Sequence, residues 1–438
     1  MATNEGYNPI WTNGTPGTIV ATDPKYGAYG DGVHDDTAAI QAALDTGLDV
    51  VLPTGNTFLT SGSLTAQTGQ TIYGYGATLK ADGNYDALVI GGGKLFGLTI
   101  TYTNSPSSGA AVSITGSNAW IQDIYVGPVS YNGIEVSGHA VFINNVHVHA
   151  ANYGLYFTGS SLRVNGAFIT GSVTAIYATG NTMNITSAEL YGSNGVVWDG
   201  GSYCFLYDVE ANGTGIAFSL VSGAEVHLNN CWTNNASNSL KIASTFNYAV
   251  SVTGGRLGNS TGDNVVVAGS QIISIKGVEI WGAAGNALVH VTGGVFMLAI
   301  EGNMFQDAGT SASYGILLDN VSLSHVSIGD NVMGVGSGTF TEGYIQNNST
   351  DLSAVSIHDN IGFNPVGKLT APALPASGTA QTNTFPYYVR VYVAGGTVSA
   401  IALNGTDTGL TSGEITLGPG ETITLTYTAA PTWTWFGL

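Results

Sequence analysis

The chain has 438 residues, 63 of them glycine and 12 proline, with 44% apolar and only 8% charged residues. That scarcity of charge excludes a disordered polyelectrolyte, and the missing Gly-X-Y period excludes collagen. Nine Lys and Arg against 28 Asp and Glu give a formal charge of -19, which repels nucleic acid and anionic lipid. The first residues, MATNEGYNPI, have neither a basic region nor an apolar core, and no run of about 18 apolar residues follows. Neither a secretory signal nor membrane insertion is therefore expected.

The first structured segment reads YGAYGDGVHDDTAAIQAALD at 26–45 and is followed by VVLPTGNTFLTSGSL at 50–64. Asp35, Asp36 or Thr37 can cap a helix whose apolar face is Ala39, Ile40, Ala43 and Leu44. His34, Asp35 and Asp36 also suggest a metal or catalytic cluster, but a helix cap over the end of a solenoid accounts for them, and no metal or cofactor is expected. Together the two stretches resemble the N-terminal segment of the pectate-lyase superfamily, with Phe58 where the family often has Tyr. The resemblance implies a right-handed parallel β-helix. It leaves the reaction open, because the family includes polygalacturonases, lyases, epimerases and phage tailspikes.

From residue 95 onward one phrase recurs: an apolar residue, a variable one, a Gly, Asn, Asp or Ser, then an alternating apolar stretch. The third positions begin at Gly97, Asp123, Asn145, Gly166, Ser187 and Asp208 and continue at Asn230, Gly254, Gly277, Gly302, Asp330 and Asp359, spaced 21 to 29 residues apart. All twelve residues two places earlier, from Leu95 to Ile357, are aliphatic. A second phrase lies between these anchors, as in GIEV at 133–136, GLYF at 154–157 and GVVW at 195–198. Short strands at a near-constant spacing predict an all-β parallel β-helix of about twelve coils over 85–363, with 1–84 as N-terminal segment and cap. Recurring Gly or Asx at one corner suits a bend that needs left-handed backbone or a side-chain bond to backbone. Cys204 and Cys231 are too few for a disulfide scaffold and are expected in the core.

In stacked coils, equivalent outward residues line up about 4.8 Å apart, so an alignment column is a row on the surface. Two residues beyond the anchors, the column holds His147, Glu189, Glu210, Trp232, Arg256 and Glu279; two further on stand His149, Tyr191 and Trp281. Aromatic faces interleaved with carboxylates suit a carbohydrate groove. Glu189 and Glu210, on adjacent coils, are the expected catalytic acids, with His147, Tyr191, Trp232, Arg256, Glu279 and Trp281 binding substrate. The other strand family presents Glu135, Tyr156, Tyr177 and Lys241 as a second face.

Residues 364–384, rich in Pro, Ala, Thr and Ser, read as a linker. Strand-like segments at 387–393, 398–403, 414–417 and 422–428, then PTWTWFGL, predict a small antiparallel β-sandwich over 385–438, for trimerisation or glycan contact. Trp433, Trp435 and Phe436 alternate with Thr434, so at least one is expected to pack internally. The module resembles the β-rich C-terminal modules of phage tail and tailspike-type proteins, which implies a homotrimer in a virion tail or outside the cell. Three functions follow: a polysaccharide depolymerase hydrolysing a bacterial surface or extracellular glycan with paired carboxylates, a lyase acting on a uronate-containing glycan, or a non-catalytic receptor-binding fibre. No outward column of stacked Asp suits calcium-dependent pectate lyase chemistry. No polygalacturonase signature can be placed, and GHA at 138–140 is not a match.

Overall fold

The computed structural model describes residues 17–306, 312–319, 322–334, 340–349, 354–363, 367–385 and 387–438. The fold is all-β, a parallel β-solenoid of about twelve turns with small antiparallel sheets at the C-terminal end. Two compact units, Met1–Gly213 and Thr214–Leu438, divide the chain. No helix among the described residues is long and apolar enough to cross a membrane.

In the first unit the inward rungs run Leu95, Ile121, Ile143, Val164, Ile185 and Leu206, each in parallel register with the next. All six are buried, and each contributes about 1.5–3 kcal/mol relative to exposure. The second unit repeats the pattern through Val252, Ile275, Ile300, Ile328 and Ile357. Alternation of apolar and polar residues keeps these rungs inward, because a slip of one residue would turn every side chain over.

The corners follow the anchors. All twelve have left-handed backbone, with φ from 49° at Asn145 to 70° at Gly97. Some anchor side chains also bond between coils, as where Asn145 Nδ2 donates to Asp123 Oδ1 at 2.6 Å. Just past the later anchors, buried Asn303, Asn331 and Asn360 form an amide ladder, with Nδ2 to Oδ1 distances of 3.0 and 2.8 Å.

Parallel stacking also extends upstream of residue 85. Val50 pairs with Ile72 and Ile72 with Leu95, while Gly55 and Gly76 take the corner with φ of 79° and 72°. These turns escape the sequence pattern because Pro53 and Gly74 stand where an aliphatic residue is expected. Residues 1–16 of the expected N-terminal segment lie outside the described residues.

The helix Thr37–Leu44 buries Ile40, Ala43 and Leu44, while Ala39 is only half-buried. Asp36 occupies the N-cap position, but its side chain does not cap the helix. Fully buried, it accepts the backbone N–H groups of Tyr29 and Gly30 at 2.6 and 3.0 Å and so closes the preceding glycine-rich loop. Asp35 takes the local turn instead, accepting the Thr37 N–H at 3.0 Å and the Ser61 hydroxyl at 2.6 Å.

The C-terminal sandwich consists of two four-stranded antiparallel sheets around Val389, Val391, Ile401, Leu417 and Trp435. Trp435 is fully buried, and Trp433 packs beside it while its Nε1 donates to the Pro372 carbonyl at 3.0 Å. The stretch read as a linker contributes strands Gly367–Lys368 and Ala380–Thr382 to these sheets, and Leu369 and Leu374 pack on their core. Its composition suggested a tether, but isolated apolar residues at a sandwich edge are enough to hold it down.

Candidate functional site

In the first unit, one outward column reads Tyr125, His147, Phe168, Glu189 and Glu210, each the register partner of the next. A parallel column two residues on carries His149, Thr170, Tyr191 and Asn212. Period-2 alternation makes this inevitable once Val146, Val148, Leu190 and Ala211 point into the core.

The rings form a continuous band. Tyr125 and His147 lie 5.1 Å apart between centroids, His147 and Phe168 4.5 Å, and Phe168 and Tyr191 5.3 Å. His149 sits 4.6 Å from His147, and its Nδ1 meets the Thr170 hydroxyl at 2.7 Å. Burial, and then the charge of His149, hold the His147 imidazole below the usual histidine range, and its Nε2 is buried without a hydrogen-bond partner. At neutral pH His147 is accordingly an uncharged ring.

Glu189 is exposed and Glu210 half-buried, in direct register on adjacent coils. Asn212 Nδ2 donates to Glu210 Oε1 at 2.6 Å, fixing that carboxylate. A shallow cleft of about 510 Å³ runs along Tyr125, His147, Phe168 and Glu189, floored at the corners by Asp123 and Asn145. Tyr125 and Phe168 also stand two residues beyond their anchors, but the sequence does not show Phe168 as the ring separating the histidines from the glutamates.

The other expected residues lie in the second unit and form their own group. Trp232 is in register with Arg256, and Arg256 with Glu279. The Arg256 Nε stands 3.3 Å from Glu279 Oε2, and its guanidinium centre lies 4.2 Å from the Trp281 ring centroid. Arg256, expected to bind substrate, is paired with Glu279 and stacked on Trp281. Trp232 remains half-exposed.

On the second strand face, Glu135, Tyr156 and Tyr177 are successive register partners. Tyr153 joins them, 5.4 and 5.2 Å from the two tyrosine rings, and the Tyr177 hydroxyl donates to Asp199 at 3.1 Å. Burial, then that bond to Asp199, pushes the Tyr177 phenol up from its ordinary value. Lys241 is exposed in the second unit, in register with Val266.

Near the N-terminal helix, His34 bonds Asp31 at 2.6 Å and stacks on Tyr29. No group of three or more His, Cys, Asp or Glu among the described residues is placed to share a metal ion. Cys204 and Cys231 are both buried.

One cluster was missed. His290 is nearly buried, its Nδ1 2.7 Å from Asp263 Oδ2 and its Nε2 3.6 Å from Asp319 Oδ2. The signal was present, since His290 follows Val266 in the outward column of the second strand family, but Asp263 and Asp319 lie in turns that the repeat does not align.

No protein-family model matches this chain, and no curated protein matches it. Among solved structures it is similar to the Dettilon tailspike protein, at 14% identity and a TM-score of 0.57, covering 96% of this chain and 94% of that one. It is also similar to tailspike protein 3 of bacteriophage CBA120, at 14% identity and a TM-score of 0.63, covering 84% of this chain and 66% of that one. The architecture is thus that of the parallel β-helix proteins, and its structural neighbours include phage tailspikes and other proteins of that fold. At these identities the likeness is one of fold.

Proposed function

We propose that this chain binds and depolymerises a bacterial surface or extracellular polysaccharide, hydrolysing glycosidic bonds with Glu189 and Glu210 as part of a tailspike-like particle in a virion tail or outside the cell. The observation that carries the reading is the direct register of the two glutamates beside the Tyr125, His147, Phe168 and Tyr191 band. Rings of this kind stack on the apolar faces of sugars, and the carboxylates supply the acid and the base or nucleophile. A backbone rung spacing of about 4.8 Å lets the two carboxyl groups take up the ~5–5.5 Å separation of retaining glycosidases. Retention of anomeric configuration is the expected outcome. In the second unit, the separate group of Trp232, Arg256, Glu279 and Trp281 also contacts sugar.

The test is incubation with a panel of bacterial surface polysaccharides, scoring reducing ends and unsaturated-product absorbance separately. Reducing ends without absorbance support hydrolysis, both together mean lyase action, and binding without either means a fibre. Glu189→Gln and Glu210→Gln should each lower turnover at least about a hundredfold with binding kept, while Glu135→Gln does far less. Equal activity in the first two variants refutes the assignment.

The same reading includes a homotrimer. Tyr392 and Leu410 of the C-terminal sandwich are exposed apolar residues suited to subunit contact. Light scattering should give three times 44.9 kDa, and a clean monomer removes this element.

A further inference from the structure

A cavity of about 780 Å³ lies within the second unit, between the solenoid wall and the C-terminal sandwich. Its volume is within the ~300–1,000 Å³ of small-ligand sites. Three outward columns make the floor. The middle one carries Ser274, Ala299, Ser327 and Ser356 in successive register, and these small side chains leave a trough. On one side Ile272, Met297 and His325 form the next column, with Ile272 and Met297 exposed. On the other side Lys276 and Glu301 are register partners in an ion pair of 2.9 Å.

Tyr388 and the turn at Gly418 and Pro419 close the cavity from the sandwich. Tyr388 is 47% exposed, so its ring is free to take a ligand face. Glu421 beside it is held by the Gly418 N–H at 2.6 Å and Asn404 Nδ2 at 2.9 Å, which fixes a carboxylate on the rim.

We infer that this cavity is a second, non-catalytic saccharide site, taking a neutral oligosaccharide between the Tyr388 ring and the serine trough. The lining provides apolar surface on one flank, hydroxyls along the floor and an internally neutralised ion pair on the other flank. Such an arrangement matches a sugar, which is apolar on its ring faces and rich in donors and acceptors at its edge. Polyanions are disfavoured by Glu301, Glu421 and the overall charge of -19. The Lys276 hydrogen bond holds the Glu301 carboxyl below its ordinary range, so that carboxylate stays ionised through neutral pH. The inference rests on the polysaccharide reading for its ligand class only; the site itself shares no residue with the glutamate column.

The test is hydrogen–deuterium exchange of the full chain with neutral and, separately, uronate-containing bacterial oligosaccharides. Glu189→Gln/Glu210→Gln chain serves as the non-cleaving background. The expected result is protection of peptides covering 272–276, 297–301 and 324–327 by a neutral oligosaccharide, with affinity falling at least tenfold in Ala299→Trp, which fills the trough. Tyr388→Ala, on the opposite wall, should weaken the same protection and guards against misfolding of the first variant. Protection confined to 125–212 and unchanged by Ala299→Trp overturns the second site and leaves the catalytic reading standing. Protection of the cavity by uronate oligosaccharides in preference to neutral ones overturns the ligand class. Absence of protection by every oligosaccharide overturns the site, while cleavage assays on the unmutated chain judge the catalytic reading independently.

Discussion

Ser187 carries a φ of 55° at a corner where other coils place Gly, Asn or Asp. Left-handed backbone costs an L-residue about 1–2 kcal/mol, and a β-branched side chain suffers most. Ser187→Gly should therefore leave stability unchanged or raised by up to about 1 kcal/mol, and Ser187→Val should lower it by at least about 1 kcal/mol, read from urea midpoints. Asp263 and His290 set a pH window at the same scale. The hydrogen bond that the His290 imidazole donates to Asp263 raises its pKa from the ordinary histidine value, against the effect of burial and with the charges of Asp263 and Asp319 adding to it. Burial pushes Asp263 up, but the bond and charge of His290 and the Ala287 N–H outweigh it, leaving that carboxyl below 3.8. The His290 contribution is complete below its unfolded pKa and is lost as pH rises through the raised folded value; the Asp263 contribution is complete above 3.8 and is lost as pH falls. The melting-temperature gap between the unmutated chain and Asp263→Asn should accordingly narrow as the pH rises beyond the ordinary histidine range.

At the scale of the strand and turn, coils approach closely at a corner the anchor pattern does not mark. A Cβ on Gly138 would run into the Gly116 carbonyl oxygen, and one on Gly159 into that of Gly138. Backbone cannot yield as a flexible side chain does, so Gly138→Ala should cost about 1–3 kcal/mol, or the coil must open. Gly166 makes a control: its Cβ would meet nothing nearer than 3.8 Å, and its φ of 62° is the sole source of strain. Gly166→Ala should cost about 1 kcal/mol. Thermal melts of the two variants side by side decide whether close approach or backbone conformation governs a corner.

Over the whole molecule, each coil bonds only to its neighbours, so damage should stay local. Trp435 is the largest fully buried side chain of the C-terminal sandwich, and its removal should cost about 3–5 kcal/mol there. Hydrogen exchange of Trp435→Ala should accelerate in 387–438 and remain unchanged in the rungs from Leu95 to Leu206. Acceleration throughout would mean that the sandwich and the coils unfold as one.

Local chemistry made the coils legible without coordinates. An aliphatic residue two places before a Gly or Asx must point inward while the anchor turns left-handed, and that pairing placed twelve rungs and twelve corners. Strand alternation likewise put Glu189 beside Glu210, because a column in a parallel solenoid is a row in space. What the repeat does not encode was decided by tertiary packing. The turns at Gly55 and Gly76 are hidden by Pro53 and Gly74, and Asp36 closes a loop rather than capping its helix because its carboxylate is buried against the backbone of Tyr29 and Gly30. Arg256 stacks on Trp281 and pairs with Glu279 because neighbours across rungs compete for a cation before any ligand arrives. The Asp263–His290 pair and the cavity beneath Tyr388 join residues from different turns and from two kinds of sheet, a meeting that depends on where irregular loops end in space and has no period for a sequence to reveal.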